Sequence, residues 1–371
     1  MKILYVITST DVGGAEKFLT QLIKTTAKAH VVEVVCLNKR GALVQHMQEN
    51  GARCVHCLDM ALLYQKDILR RLADIIDRFQ PDVVHAFLYR AMQFCRLISK
   101  GKKYKLICSP HFDMSKRNFL LRLIDRFLSQ ADTLCIAESE TTERFLIEKQ
   151  KYKKEKVFLI PNGVDKTRFS PSPALRNKMR QKYGFSEEEI VFVSVARLAA
   201  VKDPLTLLKG FYRAYQNNSF VRLVLVGEGP LRKEIEKFIN KNWLEKAVLL
   251  TGEQEEVNSF LNMADAFVLS SEEESLPLAL LEAVCVGLPC LVTDVGDMKK
   301  WVSAKENGFI FNKKDDKILS VLMETLASNK ELRDKMKQNA LIKSKKIMPS
   351  FEQYQKVYKQ IENQKFSHEN F

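Results

Sequence analysis

The sequence predicts an α/β protein built from two doubly wound parallel sheets, and three observations lead there. Short apolar, β-branched runs alternate with amphipathic segments along the chain. The runs are continuously apolar instead of alternating, as in strands covered on both faces. The 371 residues suit two domains, at roughly 100–200 residues each.

In the first half the runs fall at 3–8, 31–37, 52–58, 82–87, 106–109, 133–137 and 157–160. Between them, 16–28, 66–79, 89–100, 118–129 and 140–149 carry a helical period. Pro161-Asn162-Gly163, then Pro171 and Pro173, interrupt that period and read as an interdomain connection. The second half repeats the grammar, with runs at 190–195, 221–226, 247–250, 266–269, 290–293 and 309–311. Helical segments there include 204–216, 231–240, 278–285 and 317–327, and a last helix, 351–363, has no strand after it. The expected domains are 1–165, completed by 351–371, and 166–350. In open α/β sheets ligands bind beyond the carboxyl ends of the strands, so the cleft between two such domains is the expected site.

Apolar residues make up 46% and charged residues 28%, which excludes a disordered or fibrous chain. No apolar run approaches the roughly 18 residues of a membrane-spanning helix. The first residues read as a buried strand, not a secretion signal. Eight dispersed cysteines without such a signal point to a reducing, cytoplasmic setting. Cys54 and Cys57 form a lone C-x-x-C whose members face opposite ways in a strand, which disfavours zinc or redox chemistry. The net charge is +14, and residues 1–168 hold 29 basic against 18 acidic residues, or +11 of it. Such asymmetry suggests an anionic partner, nucleic acid or a membrane surface.

Three motifs carry chemistry. Gly13-Gly14 follows the first strand and opens a helix, where backbone can approach a phosphate and free N–H groups meet it. A G-x-G-x-x-G fingerprint is absent there, and Gly227-Glu228-Gly229 fails as one because Arg232 takes the third glycine's place, which counts against a nicotinamide dehydrogenase. Arg197 and Lys202, beyond the run 190–195, form a pair of cations able to clamp a diphosphate. Third, Glu274 and Glu282 flank Ser275-Leu276-Pro277, with Pro277 suited to the first helical position. Carboxylates there accept bonds from sugar and ribose hydroxyls while the helix end faces anionic oxygens.

The ordered set of Gly13-Gly14, IPNGVD at 160–165, ARLAAVKDP at 196–204, LVGEGP at 225–230 and ESLPLALLEA at 274–283 resembles the retaining glycosyltransferases of family 4. Gly287-Leu288-Pro289 and Thr293-Asp294-Val295-Gly296 continue the likeness over nearly the whole chain. The resemblance implies a GT-B fold, with two Rossmann-like domains and a final helix crossing back to the first. It implies sugar transfer from a nucleotide donor with retention, normally without a bound metal or other cofactor, and uridine as the commonest base.

By position, the resemblance gives Gly13 and Gly14 to the diphosphate, Arg197 and Lys202 to its clamp, and Glu282 to the ribose. Glu274, with Ser275, Leu276 and Pro277, falls at the donor sugar, and Gly252 joins the donor set. His111 matches a histidine between donor sugar and acceptor, and His85 and Asp113 fall in its surroundings. Ser275, Ala196, Asp297 and Lys300 depart from the family's usual residues, which bears on the choice of donor sugar.

Lys102 and Lys103 sit in a basic cluster, and Lys116, Arg117, Phe119 and Arg122 open a basic, apolar helical stretch. Such a stretch either lies on an anionic bilayer or buries its apolar stripe and solvates its charges. A saccharide or lipid-linked acceptor at the inner face of the cytoplasmic membrane follows from the first alternative. Two other readings compete: a sugar-nucleotide epimerase of the same architecture, and a basic nucleic-acid-binding protein, which lacks any zinc-finger or RRM motif.

Overall fold

The computed structural model describes residues 1–11, 13–60, 65–111, 119–348 and 350–363, with backbone alone at 65, 119 and 120. The chain divides into two compact units, Met1–Asn162 with Pro349–Phe371, and Gly163–Met348.

The first unit is a parallel sheet of β1 (Lys2–Ile7), β2 (Val31–Cys36), β3 (Cys54–Cys57), β4 (Val83–Phe87), β5 (Lys105–Ser109), β6 (Leu134–Ala137) and β7 (Val157–Leu159). Their order is β3-β2-β1-β4-β5-β6-β7. The crossovers carry α1 (Gly14–Thr26), α2 (Val44–Glu49), α3 (Gln65–Phe79), α4 (Tyr89–Ile98), α5 (Phe119–Leu128) and α6 (Glu140–Arg144). Strand residues on both faces, among them Leu4, Tyr5, Val34, Val35, Val84 and Ile107, are fully buried, which is why the runs are apolar throughout. Each such aliphatic side chain contributes roughly 1.5–3 kcal/mol by leaving water.

The second unit orders β8 (Ile190–Val195), β9 (Val221–Val226), β10 (Val248–Gly252), β11 (Ala266–Leu269), β12 (Cys290–Thr293) and β13 (Gly308–Phe311) as β10-β9-β8-β11-β12-β13, again parallel. Its helices are α7 (Pro173–Tyr183), α8 (Pro204–Asn217), α9 (Arg232–Lys241), α10 (Val257–Met263), α11 (Leu278–Val286), α12 (Met298–Trp301), α13 (Asp316–Ser328) and α14 (Lys330–Ser344). A last helix, α15 (Ser350–Glu362), belongs to the first unit, where its Phe351 and Tyr354 rings pack 5.1 and 5.4 Å from Phe18 of α1.

Strand order reverses between β1 and β4 in one unit and between β8 and β11 in the other. These switch points open a crevice at the carboxyl ends of their strands, where open α/β sheets take ligands. Most element boundaries shift by one to three residues from expectation, and two of the differences concern prolines. Pro173 does not extend the interruption but opens α7, with the Ser172 hydroxyl accepting from the Leu175 N–H. Pro277 is the N-cap of α11, and Leu278 is its first helical residue.

Candidate functional site

At the switch point of the second unit the loop after β8 carries Arg197 and Lys202. Its backbone is held from one side by the loop after β9: the Leu198 N–H donates to the Glu228 carbonyl and the Leu231 N–H to that of Leu198, both at 2.9 Å. Gly227 (φ +143°) and Gly229 permit this approach, since a Cβ on them would lie 2.1 and 2.4 Å from the Ala196 and Leu198 carbonyl oxygens. So the glycines that fail as a nucleotide fingerprint serve loop-on-loop packing. Arg197 stays exposed above that platform. The Gly252 carbonyl accepts the Gly227 N–H at 2.8 Å, which places Gly252 in the same lattice.

The loop after β11 closes from the other side. The Glu272 N–H donates to the Val201 carbonyl at 2.9 Å, and the Ser270 hydroxyl to that of Asp203 at 2.7 Å. Gly296 (φ +52°) leaves room for the Glu274 carbonyl, 2.2 Å from where its Cβ would stand, and the Asp297 N–H donates to the Ser275 carbonyl at 2.9 Å. The framework brings Lys202 Nζ to 2.5 Å from Glu274 Oε1, which also accepts from the Ser271 hydroxyl at 2.8 Å. The lysine side chain is 25% exposed and the glutamate 8%. Ser275 and Leu276 are buried, and Pro277 provides no side-chain cap for α11. Glu282 stands half-buried in the second turn of α11.

These loops gather two cations and a helix N-terminus, a combination that favours an anion. An anionic ligand entering here competes with Glu274 for Lys202.

In the first unit Gly13, extended at φ −151°, is the N-cap of α1, and Gly14 is its first residue, directly beyond the β1 switch point. A Cβ on Gly13 would lie 2.3 Å from the Glu16 carboxylate, whereas one on Gly14 meets nothing within 4 Å. Gly14 therefore faces open space, as backbone approach by a ligand requires.

The two histidines separate. His85 is fully buried, its Nδ1 at 2.8 Å from the Tyr358 hydroxyl and its Nε2 at 2.8 Å from that of Ser109. Burial, and then His111, hold its pKa well below the ordinary value. Both ring nitrogens are engaged, so His85 ties α15 to the sheet. His111 follows β5 in the left-handed region at φ +51°. Its ring lies 5.0 Å from Phe18 and 5.3 Å from Phe87, and its enclosed Nε2 has no hydrogen-bond partner among the described residues. Burial lowers its pKa to about 4, so it is neutral at pH 7.

Asp113, Lys116 and Arg117 lie outside the described residues, as does the Phe119 side chain. Lys102 pairs with Asp77 at 2.5 Å, Lys103 is exposed, and Arg122 is half-buried, its enclosed Nε without a hydrogen-bond partner among the described residues. Cys54 lies 3.7 Å from His56 Nδ1, while Cys57 is register-paired with Cys36. Sequence reasoning missed Ser271, which holds Glu274, and Phe18 and Phe87, which hold His111. None of the three carries a local motif.

Two family profiles match in tandem: Glycosyltransferase Family 4 over residues 12–168 and Glycosyl transferases group 1 over 176–342. The chain is 28% identical over 304 residues, 79% of each chain, to EpsF, a candidate glycosyltransferase of Bacillus subtilis. It is 25% identical over 280 residues, 72% of each, to an Escherichia coli enzyme named for galactosyl transfer from UDP-Gal to α-D-GlcNAc-diphosphoundecaprenol. Among solved structures, Anabaena HepE with UDP-glucose superposes at a TM-score of 0.85 over 98% of this chain and all of HepE, at 20% identity.

Proposed function

Because this chain belongs to the GT-B glycosyltransferases of the family 4 type, we propose that it moves a hexosyl group, with retention, from a UDP-sugar to a saccharide or lipid-linked acceptor at an anionic membrane surface. The observation that carries this reading is the Lys202–Glu274 contact beside the N-terminus of α11, with Arg197 exposed on the neighbouring loop.

The departing nucleoside diphosphate gains negative charge as the glycosidic bond lengthens. Arg197, Lys202 and the N–H groups that open α11 are fixed beforehand, so they stabilise that charge more than the ground state. This cationic set makes a divalent ion dispensable. Gly14 offers backbone N–H to the diphosphate, Glu282 accepts from the ribose diol, and Glu274, released by Lys202, accepts from a donor-sugar hydroxyl. Neutral His111 holds the donor sugar near the acceptor. Retention then follows from front-face attack within a short-lived ion pair.

The membrane acceptor draws support from the basic first half and from relatives whose names specify lipid-borne saccharides, the diphosphoundecaprenol enzyme and the alpha-monoglucosyldiacylglycerol synthase of Acholeplasma laidlawii. Among the described residues no helix is long and apolar enough to cross a membrane. A panel of UDP-sugars, scored by acceptor-dependent UDP release and by the anomeric configuration of the product, tests the reading. UDP release equal with and without acceptor favours hydrolysis or epimerisation, and an inverted product rules out retention.

A further inference from the structure

The helix α5 is turned inside out. Leu121, Leu123, Ile124 and Phe127 are exposed, Ile124 by 53% and Phe127 by 71%, while Asp125 of the same helix is fully buried. Apolar burial is the dominant favourable term in folding, and by itself it would rotate this helix by about half a turn.

Arg96 of α4 prevents that. Its side chain and that of Asp125 are 0% exposed, and its Nη1 donates to Asp125 Oδ1 at 2.5 Å. The rest of its fork grips Asp132, Nε to Oδ1 at 2.9 Å and Nη2 to Oδ2 at 2.7 Å. Tyr152 donates to Asp132 at 2.7 Å, and Gln93 donates to Asp125. Burial opposes the arginine's charge, and the groups around it, the Asp132 carboxylate foremost and then Tyr152, together outweigh it, so the guanidinium stays protonated. Buried ion pairs contribute little net stability and are best attested as devices that fix register and orientation.

We propose that the Arg96–Asp125 latch fixes α5 so that Leu123, Ile124 and Phe127 stand outward as a bilayer-insertion face, occupied by the interface of an anionic membrane. Charge complementarity chooses this occupant. Arg126 is exposed on the helix itself, and Lys103 and Lys105 are exposed at the amino end of β5, the sheet edge to which α5 returns the chain. An apolar face rimmed by basic side chains lies in the headgroup boundary of anionic lipid. The inference deepens the membrane-acceptor reading above and rests on it for the surface at which the enzyme works.

Flotation with phosphatidylcholine vesicles, with and without phosphatidylglycerol, tests it at low salt. The full chain is expected to float with the anionic vesicles, and Ile124→Asp and Phe127→Asp to bind them about tenfold more weakly with an unchanged melting temperature. Asp125→Asn leaves the outer residues in place yet is expected to weaken binding severalfold. Equal binding by Phe127→Asp and the unsubstituted chain overturns the insertion face. Equal binding to both vesicle types overturns the anionic occupant, and full binding by a folded Asp125→Asn overturns the latch. A dimer seen without vesicles and abolished by Phe127→Asp, with no flotation, assigns the face to a second copy and overturns the membrane. Thermal stabilisation by UDP, measured alongside, reports the donor site separately: its absence fails the UDP-sugar reading and leaves the flotation result standing.

Discussion

Two of the molecule's cation–carboxylate contacts look alike on paper and differ in setting. Arg96 with Asp125 and Asp132 is sealed in the first unit, every charged side chain at 0% exposure. Lys202 with Glu274 stands where three loops of the second unit meet, and its lysine keeps a quarter of its surface open. The first pair has all its partners inside the protein and therefore sets architecture. The second is held by the backbone around it and can exchange partners when an anion arrives. Burial, not pairing as such, separates the two.

Removing Arg96 breaks the comparison most severely. Arg96→Leu strands two buried carboxylates and is expected to cost about 3–5 kcal/mol, read as a lower denaturation midpoint. A loss below about 1 kcal/mol, the scale of an exposed pair, would erase the distinction drawn between the two. Lys202→Ala is expected to act on turnover more than on stability. Stability falls by about 1–3 kcal/mol, since the mostly buried Glu274 keeps its Ser271 bond but loses the cation, while kcat/KM falls about 10²–10³-fold, the usual effect of deleting one preorganised charge or donor. Near-normal turnover in this variant would refute the clamp.

His111 is likewise governed by burial. Its depressed pKa means that the unfolded chain binds a proton that the folded chain refuses between the ordinary histidine value and about 4. Stability from this group is therefore complete above pH 6.5, the reference value, and is lost as pH falls toward 4. The acidic limb of kcat/KM that His111→Gln removes is expected near pH 4. A limb near 6.5 would place the ring in water. Gly14→Ala should give the smallest structural effect. With open space at the Cβ position and a helical site, stability holds or rises by about 0.5–1 kcal/mol, while the donor KM increases. An unchanged KM would remove Gly14 from the donor site.

Much of the fold was legible because both sheets are parallel and covered on both faces, so each strand stood out as an apolar run. The helices α7 and α14 were not singled out, for the opposite reason. In α14 the buried positions are Met336, Ala340 and Ser344, too few and too small to impose a period on so polar a segment. Within each unit, Arg197 and Lys202, the two glutamates, and Gly13-Gly14 were visible as short motifs in the loops and helix starts beyond strands. Ser271, Phe18 and Phe87 were not, since Ser271 meets Glu274, and the two phenylalanines meet His111, without belonging to either motif.

The sequence by itself called for an amphipathic helix over 118–129, which the structure has at Phe119–Leu128, and for one α/β grammar in both halves, because the periods of apolar residues are local properties. Which face of that helix turns inward was decided only in three dimensions. Periodicity records that a helix has two faces. The choice between them was made by Arg96, 29 residues before Asp125, because a buried guanidinium needs its carboxylates more than the helix needs to hide its phenylalanine.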